Sequence, residues 1–481
     1  MTVARVLMTH MRTGALCAAG LLSACATVGP DYHRPAAAVI EKPSATAPFI
    51  GGNEAAFAAL APLPDHWWRL YRDPVLDRLV AQALAANTDL RVAAANIARA
   101  QSDVAIAEDG RRPQATVQAS PGYAQRSAEE ELLPGAALPS NFVYAASAGI
   151  SYQVDLVGQV RRAIEAADAD LAATRAAYDS VRVTVAADTT RAYLDACSAG
   201  REIGVAQRAL DLQSRTTQLT RRLVRGGRGI SLDATRSSAQ EAQVRATMPG
   251  LLAAKQLALY RLATLAGRPP AGFDRDVAAC TREPQLAQAI PIGDGAALLR
   301  RRPDVRRAEW ELRAATARIG VATADLYPHI SLGASVGSVG LAERVLGGDT
   351  YKFSLGPLIN WQFPNRTRVR ARIAATEAGR DAAFARFDGV VLGALRETES
   401  ALTVYARDLD RIAALREASG AAGRAARDAE TLFRAGRTGF LPVLDAQRTA
   451  ITAEQTLAAA QSRLAADQVQ LFLALGGGWQ T

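Results

Sequence analysis

The stretch YKFSLGPLINWQF, residues 351–363, decides how the rest of the chain is read. Tyr351, Phe353, Leu355, Ile359, Trp361 and Phe363 fall on one face of an extended backbone, and Lys352, Ser354, Gly356, Asn360 and Gln362 on the other. That period of two is the pattern of a β-strand with one apolar face. The same alternation recurs upstream, so strands are expected at about 114–124, 142–154, 329–339 and 351–363. Each is about the length of a transmembrane β-strand, with aromatic residues crowded at its ends. A water-soluble antiparallel sheet with one wet face uses the same alternation. The number of strands narrows the choice: a sheet in lipid has to close on itself, and the smallest bacterial barrels have about eight strands. Four strands do not close a barrel alone. Either they lie outside lipid, or several copies each contribute four staves.

The strands come in pairs because the chain is duplicated. Leu90 to Ser120 lies over Val305 to Ser335 without a gap: Asp89 meets Asp304, Arg91 meets Arg306, Ile97 meets Leu312 and Pro113 meets Pro328. Farther on, Arg225 and Gly227 meet Arg434 and Gly436, while Asp233, Ala234 and Arg236 meet Asp445, Ala446 and Arg448. The period of about 210 residues is too long for a solenoid unit. Each half reads as helix, two strands, a very long helix and a return helix. No proline interrupts Arg161 to Arg225 or Arg366 to Arg434, so each segment is expected to form one helix of about 100 Å at 1.5 Å per residue. Glycine-rich turns follow, with Gly226, Gly227 and Gly229 in the first and Gly436 and Gly439 in the second, before helices resume near Ser231 and Leu441. The expected division is 1–24 signal peptide, 25–88 N-terminal equatorial segment, 89–267 first repeat with a helical hairpin over about 161–267, 268–302 linker, and 303–481 second repeat with a hairpin over about 366–476.

Composition agrees with small-residue helix packing: 49% of the 481 residues are hydrophobic but only 6% aromatic. The net charge of +9 is spread among interleaved acids, which argues against a nucleic-acid partner. Four histidines and four cysteines, with neither CxxC nor HxxxH, give no transition-metal site. The N-terminus carries Arg5 and Arg12, then a short apolar run, then Leu22-Ser23-Ala24-Cys25, the form of an export signal. This run is too short for a permanent membrane helix. Removal up to Cys25 lowers the charge to +7, since only Arg5 and Arg12 leave.

Three further patterns have structural explanations. Gly333-Ala334-Ser335-Val336-Gly337 fits the GxSxG nucleophile elbow, but Ser335 sits within strand alternation rather than at a strand-to-helix turn. Arg225-Gly226-Gly227-Arg228-Gly229 lacks the GK[ST] ending of a P-loop and follows a helix. Arg301-Arg302-Pro303-Asp304 reads as a helix start, with proline at the first position and an acid beside it. Cys197 and Cys280 are equally compatible with a disulfide and with buried free thiols.

Taken together, these residues resemble the TolC-like outer-membrane factors of tripartite efflux pumps, in particular the NodT-type lipoprotein branch. The resemblance rests on the lipobox at Cys25 followed by Val28-Gly29-Pro30-Asp31-Tyr32 and Pro35; on Trp68, Asp73-Pro74 and Asn87; on Arg301-Arg302-Pro303-Asp304-Val305 with Ala308-Glu309; on Leu444-Asp445-Ala446-Gln447-Arg448; and on Ala474-Leu475-Gly476-Gly477-Gly478-Trp479. Phe363-Pro364-Asn365 stands where the family has Phe-Asp/Asn-Gly-Gly.

The resemblance implies a mainly α fold with a transmembrane β portion: a homotrimer with a twelve-stranded β-barrel and a long periplasmic α-helical barrel. It implies acylation of Cys25, placement in outer-membrane lipid, and loops near 125–141 and 340–350 facing outward. The glycine-rich turns would meet a periplasmic adaptor and, through it, an inner-membrane transporter. No cofactor, metal or catalytic residue is expected. Leu441, Asp445 and Arg448 share one helical face, and in a trimer they would stack as rings of Leu, carboxylate and guanidinium at the periplasmic aperture. Asp233 and Arg236 repeat the spacing at the other turn. An ordinary surface pair between Asp445 and Arg448 is the bland alternative for the first set. A duct for type I protein secretion and a lipid-anchored periplasmic coiled-coil scaffold are the rival functions.

Overall fold

A computed structural model describes residues 27–58, 61, 63–129, 132–286, 288–345, 347–361 and 366–477. Cys25, Glu130, Glu131, the 362–365 turn and Trp479 lie outside the described residues. In chain order the main elements are α1 (Pro74–Ala86), α2 (Thr88–Asp109), β1 (Gln114–Ala124), β2 (Asn141–Val154), α3 (Gln159–Arg225), α4 (Ser231–Leu265), α5 (Gly295–Arg301), α6 (Pro303–Ala324), β3 (His329–Leu341), β4 (Tyr351–Asn360), α7 (Arg366–Arg434) and α8 (Phe440–Ala474). α3 has 67 residues and α7 has 69, each unbroken. β4 ends at Asn360, short of the strand end expected at Phe363. No helix among the described residues is long and apolar enough to cross a membrane.

The helix ends follow from local chemistry. Asp73 caps α1 by accepting the Val75 and Leu76 N–H groups at 2.8 and 3.2 Å, with Pro74 at the first position. Asn87 caps α2 through Asp89 N–H at 2.9 Å, and its own amide donates to the Leu265 carbonyl at 3.1 Å. Asp155 caps α3 through Val160 and Arg161. At the other end of α3, Gly227 N–H donates to Val224 O and Arg228 N–H to Leu223 O. At the end of α7, Gly436 and Arg437 make the equivalent bonds to Phe433 and Leu432. Gly227 and Gly436 both have φ of +68°, the left-handed cap that closes a Schellman turn without a Cβ penalty.

By internal contacts the chain forms two compact units, and neither is a sequence repeat. One gathers residues up to Arg34, Ile97–Ala173 and Ala308–Arg386; the other gathers Pro35–Asn96, Thr174–Arg307 and the chain from Phe387. Each unit therefore takes corresponding pieces from both repeats.

The first unit holds an antiparallel sheet in the order β1-β2-β3-β4. Gln114 pairs with Ser151, Val154 with Ile330, and His329 with Asn360, so the central pairing joins the two repeats. Its edges, β1 and β4, have no further strand partner among the described residues. Phe353 and Leu355 on β4 are 86% and 84% exposed, and Val117, Phe142, Leu332 and Val336 are also exposed. Hydroxyls link strands elsewhere in the sheet: Tyr144 to Ser338 at 2.7 Å, and Ser335 to Ser354 at 2.8 Å. The Val28–Arg34 strap packs in the same unit. Arg162, with its side chain 4% exposed, donates to the Val28 and Gly29 carbonyls and pairs with Asp31 and Glu165, both at 2.7 Å. Arg34 grips Glu309 at 2.8–3.0 Å. Gly29 lies so close to Gly320 that a Cβ on it would come within 2.4 Å of the Gly320 Cα.

The second unit carries the largest apolar cluster. Trp67 is fully buried and stacks on Phe472 with ring centroids 4.4 Å apart, among Leu76, Val80, Leu194 and Leu402. Arg302 is bound inward, donating to the Ala474 carbonyl at 2.9 Å and pairing with Asp304 and Glu397 at 2.7 and 2.9 Å. Arg301 pairs with Asp65 at 2.7 Å. Both guanidiniums are thus engaged at a helix start. Cys197 and Cys280 form a disulfide with Cα atoms 4.9 Å apart, which resolves the choice between bridge and free thiols.

Candidate functional site

The candidate aperture lies where α3 turns into α4 and α7 into α8. In α8, Phe440, Val443, Gln447 and Ile451 are buried, and this sets the outward direction of the remaining positions. Leu441, Asp445 and Arg448 fall together on an exposed face, with Leu441 55% exposed. In α4, Ser237 is buried, Arg236 is exposed and Asp233 is half-buried. Among the described residues, none of Asp233, Arg236, Asp445 and Arg448 has an ion-pair partner, although Asp445 and Arg448 stand three residues apart. The surface pair offered by their spacing is therefore not made. Leu441 and two unsatisfied charges of opposite sign remain available to other molecules.

Of the turn glycines, Gly226 and Gly227 close α3, Gly229 lies in the link to α4, Gly436 follows α7, and Gly439 caps α8. Phe433 and Phe440 meet edge to face at 5.8 Å and staple the second turn.

Between these turns and the large core, the helices are joined mainly by polar groups. Gln213 donates to Ser237, Thr217 contacts the Ser237 hydroxyl at 3.0 Å, and Thr216 donates to Gln447 at 3.3 Å. Among the described residues, the nearby apolar cluster contains Ala209, Val244 and Ile451, with Leu210 packed against it.

One pair of acids escaped sequence reasoning. Asp408 on α7 and Asp467 on α8 face one another, with Arg463 Nε 3.0 Å from the first carboxylate and 3.8 Å from the second. Burial, then the hydrogen bond to Asp408 and that group's charge, push the Asp467 carboxyl up from 3.8 to about 6, against the lowering influence of Arg463 and Arg191. A carboxyl raised in the folded state binds more protons there than in the unfolded chain, so the contribution of Asp467 to stability falls as pH rises from about 4 to about 6 and then levels off. Thermal melts across that window are expected to show wild type losing stability relative to Asp467→Asn as pH rises. An unchanged slope in the variant would remove the pair from the account. The two acids lie 59 positions apart on different helices, and no spacing rule links them.

Ser335 occupies an extended β3 position opposite Ser354, with its hydroxyl bonded there. It has neither the turn nor the following helix of a nucleophile elbow.

Comparison with known proteins shows the family and the fold. Residues 79–268 and 296–477 match the family described as "Outer membrane efflux protein". Nodulation protein T of Rhizobium leguminosarum bv. viciae is 29% identical over 460 residues, covering 95% of this chain and 92% of that protein. The toluene efflux pump outer membrane protein TtgC of Pseudomonas putida is 28% identical, with coverage of 95% and 94%. The solved structure of the outer-membrane channel OprN superposes with a TM-score of 0.85 at 34% identity, covering 94% of this chain and all of that one.

Proposed function

Since the chain belongs to the outer membrane efflux protein family, we propose that it is the exit duct of a tripartite efflux pump, working as a homotrimer with a periplasmic adaptor and an inner-membrane transporter. It is a passive outer-membrane channel and catalyses no reaction. The observation that carries this reading is the four-stranded sheet whose edge strands have no further strand partner among the described residues and whose large apolar side chains are exposed. Such edges are a liability in water and are not tolerated in lipid, so further copies must close them. Three chains supply twelve strands for one barrel and twelve helices for a tunnel.

At the periplasmic mouth, Leu441, Asp445 and Arg448 form the constriction, with Asp233 and Arg236 contributing from the other turn. Charges without an ion-pair partner among the described residues support this role, because ion pairs between protomers would satisfy them while the mouth is shut. The turns bearing Gly226, Gly227, Gly229, Gly436 and Gly439 are the surfaces offered to the adaptor. Acylated Cys25 anchors the mature N-terminus in the membrane. The position of Thr27, whose hydroxyl accepts from Arg161 at 3.0 Å close to the end of β2, supports an anchor near the sheet.

A lipid-anchored scaffold would keep its sheet in the periplasm, whereas the duct exposes the 125–141 loop outside. Trypsin added to intact cells is expected to cut at Arg126. Protection of that loop, with cleavage only after the outer membrane is opened, would reverse the reading in favour of the scaffold.

A further inference from the structure

Where β4 ends and α7 begins, the first unit contains a cavity of about 250 Å³. Six of its lining residues carry the argument: Asp325, Tyr327, His329, Trp361, Arg368 and Arg372. Tyr327 and Trp361 are 42% and 50% exposed, and the apolar exposure of β4 gives way to arginines just beyond them. Asp325 organises one side. It accepts from Gln159 and Arg372, both at 3.0 Å, and lies 3.8 Å from His329. Arg368 lies one helical turn from Arg372 on the same face and has no side-chain partner among the described residues. Two guanidiniums against one carboxylate leave the cavity positive.

The surrounding sequence sharpens this imbalance. Arg366, Arg368, Arg370 and Arg372 occupy alternate positions at the start of α7, whose first turn has no acid. Cations at that end of a helix oppose its dipole, an arrangement that an anion relieves. A guanidinium fork matches phosphate oxygens, and tyrosine and tryptophan favour the level at which lipid headgroups meet acyl chains. The volume corresponds to roughly eight waters at about 30 Å³ each, room for a phosphodiester and part of its substituent.

We propose that this cavity binds the phosphodiester of a glycerophospholipid from the periplasmic-side leaflet, with Arg368 and Arg372 on its oxygens and Tyr327 and Trp361 beside its glycerol. This site rests on the placement of the sheet in the outer membrane. It gives the barrel a fixed lipid contact at the depth where its apolar band ends.

The test is lipid retention by the full-length trimer, purified from outer membranes and washed in phosphorus-free detergent. Native mass spectrometry and a phosphorus assay are expected to find lipid phosphorus equimolar with protomer. Arg368→Gln, which leaves the Arg372–Asp325 pair intact, is expected to lower retention roughly tenfold, and Arg368→Lys to lower it less. Equal retention by wild type and Arg368→Gln would overturn the site, as would lipopolysaccharide as the retained species or displacement by excess inorganic phosphate. A second measurement does not depend on the variant folding: delipidated wild type is offered phosphatidylglycerol or diacylglycerol with the same chains. Selective uptake of phosphatidylglycerol supports the site, and equal uptake of both removes it. A conducting trimer without lipid phosphorus eliminates this site alone, whereas a non-conducting monomer eliminates the duct reading beneath it.

Discussion

Asp445→Ala is expected to raise single-channel conductance in planar bilayers several-fold and to lengthen open periods. Asp445 and Arg448 are exposed on α8 and have no ion-pair partner among the described residues, and the threefold symmetry of the proposed trimer would repeat both charges around one ring. An exposed ion pair contributes at most about 1 kcal/mol, so three equivalent pairs contribute up to about 3 kcal/mol to the shut state. At 1.4 kcal/mol per factor of ten, their loss shifts the balance between shut and open forms by as much as roughly a hundredfold. Arg448→Ala should act in the same direction. Glu430→Ala serves as the control, because Glu430 pairs with Arg434 on its own helix and is expected to leave conductance unchanged. If Asp445→Ala and Glu430→Ala behave alike, the aperture assignment fails.

The largest expected loss of stability follows removal of the Cys197–Cys280 bridge. It closes a sequence separation of 83 residues and links α3 to the segment after α4. Chain-entropy reasoning gives a stabilisation on the order of 4–5 kcal/mol for a loop of that size. Cys197→Ser is therefore expected to lower the thermal midpoint by several degrees in oxidised protein and to change little when wild type and variant are compared in reductant. The double variant provides a stricter test. Residues that act as one bond give a double-variant effect close to either single effect, whereas independent thiols give the sum. Additive losses would contradict the bridge.

These results also mark where reading the chain alone stops. The apolar alternation of 351–363, the proline-free runs and the paired glycine turns were legible because each depends on neighbouring residues and a local backbone period. The pairing of β2 with β3 was not, since it joins strands from different repeats. The Val28–Tyr32 segment was legible as a family mark, but its physical task depends on Arg162 and Gly320, which lie far along the chain. The bridge and the Asp408–Asp467 pair were hidden for the same reason: long helices bring distant residues together at distances that composition does not encode. At the proposed aperture, the spacing of Leu441, Asp445 and Arg448 defined a shared face. Only the fold showed that this face is exposed and that its charges have no ion-pair partners among the described residues.

The central claim is that three copies of this chain complete one channel. Native mass spectrometry of the detergent-purified outer-membrane protein tests it most directly. The account requires a single dominant species of three chains that migrates as a heat-modifiable band. A monomer as the dominant species, with its migration unchanged by heating, would contradict it and leave the four strands as a sheet outside the membrane.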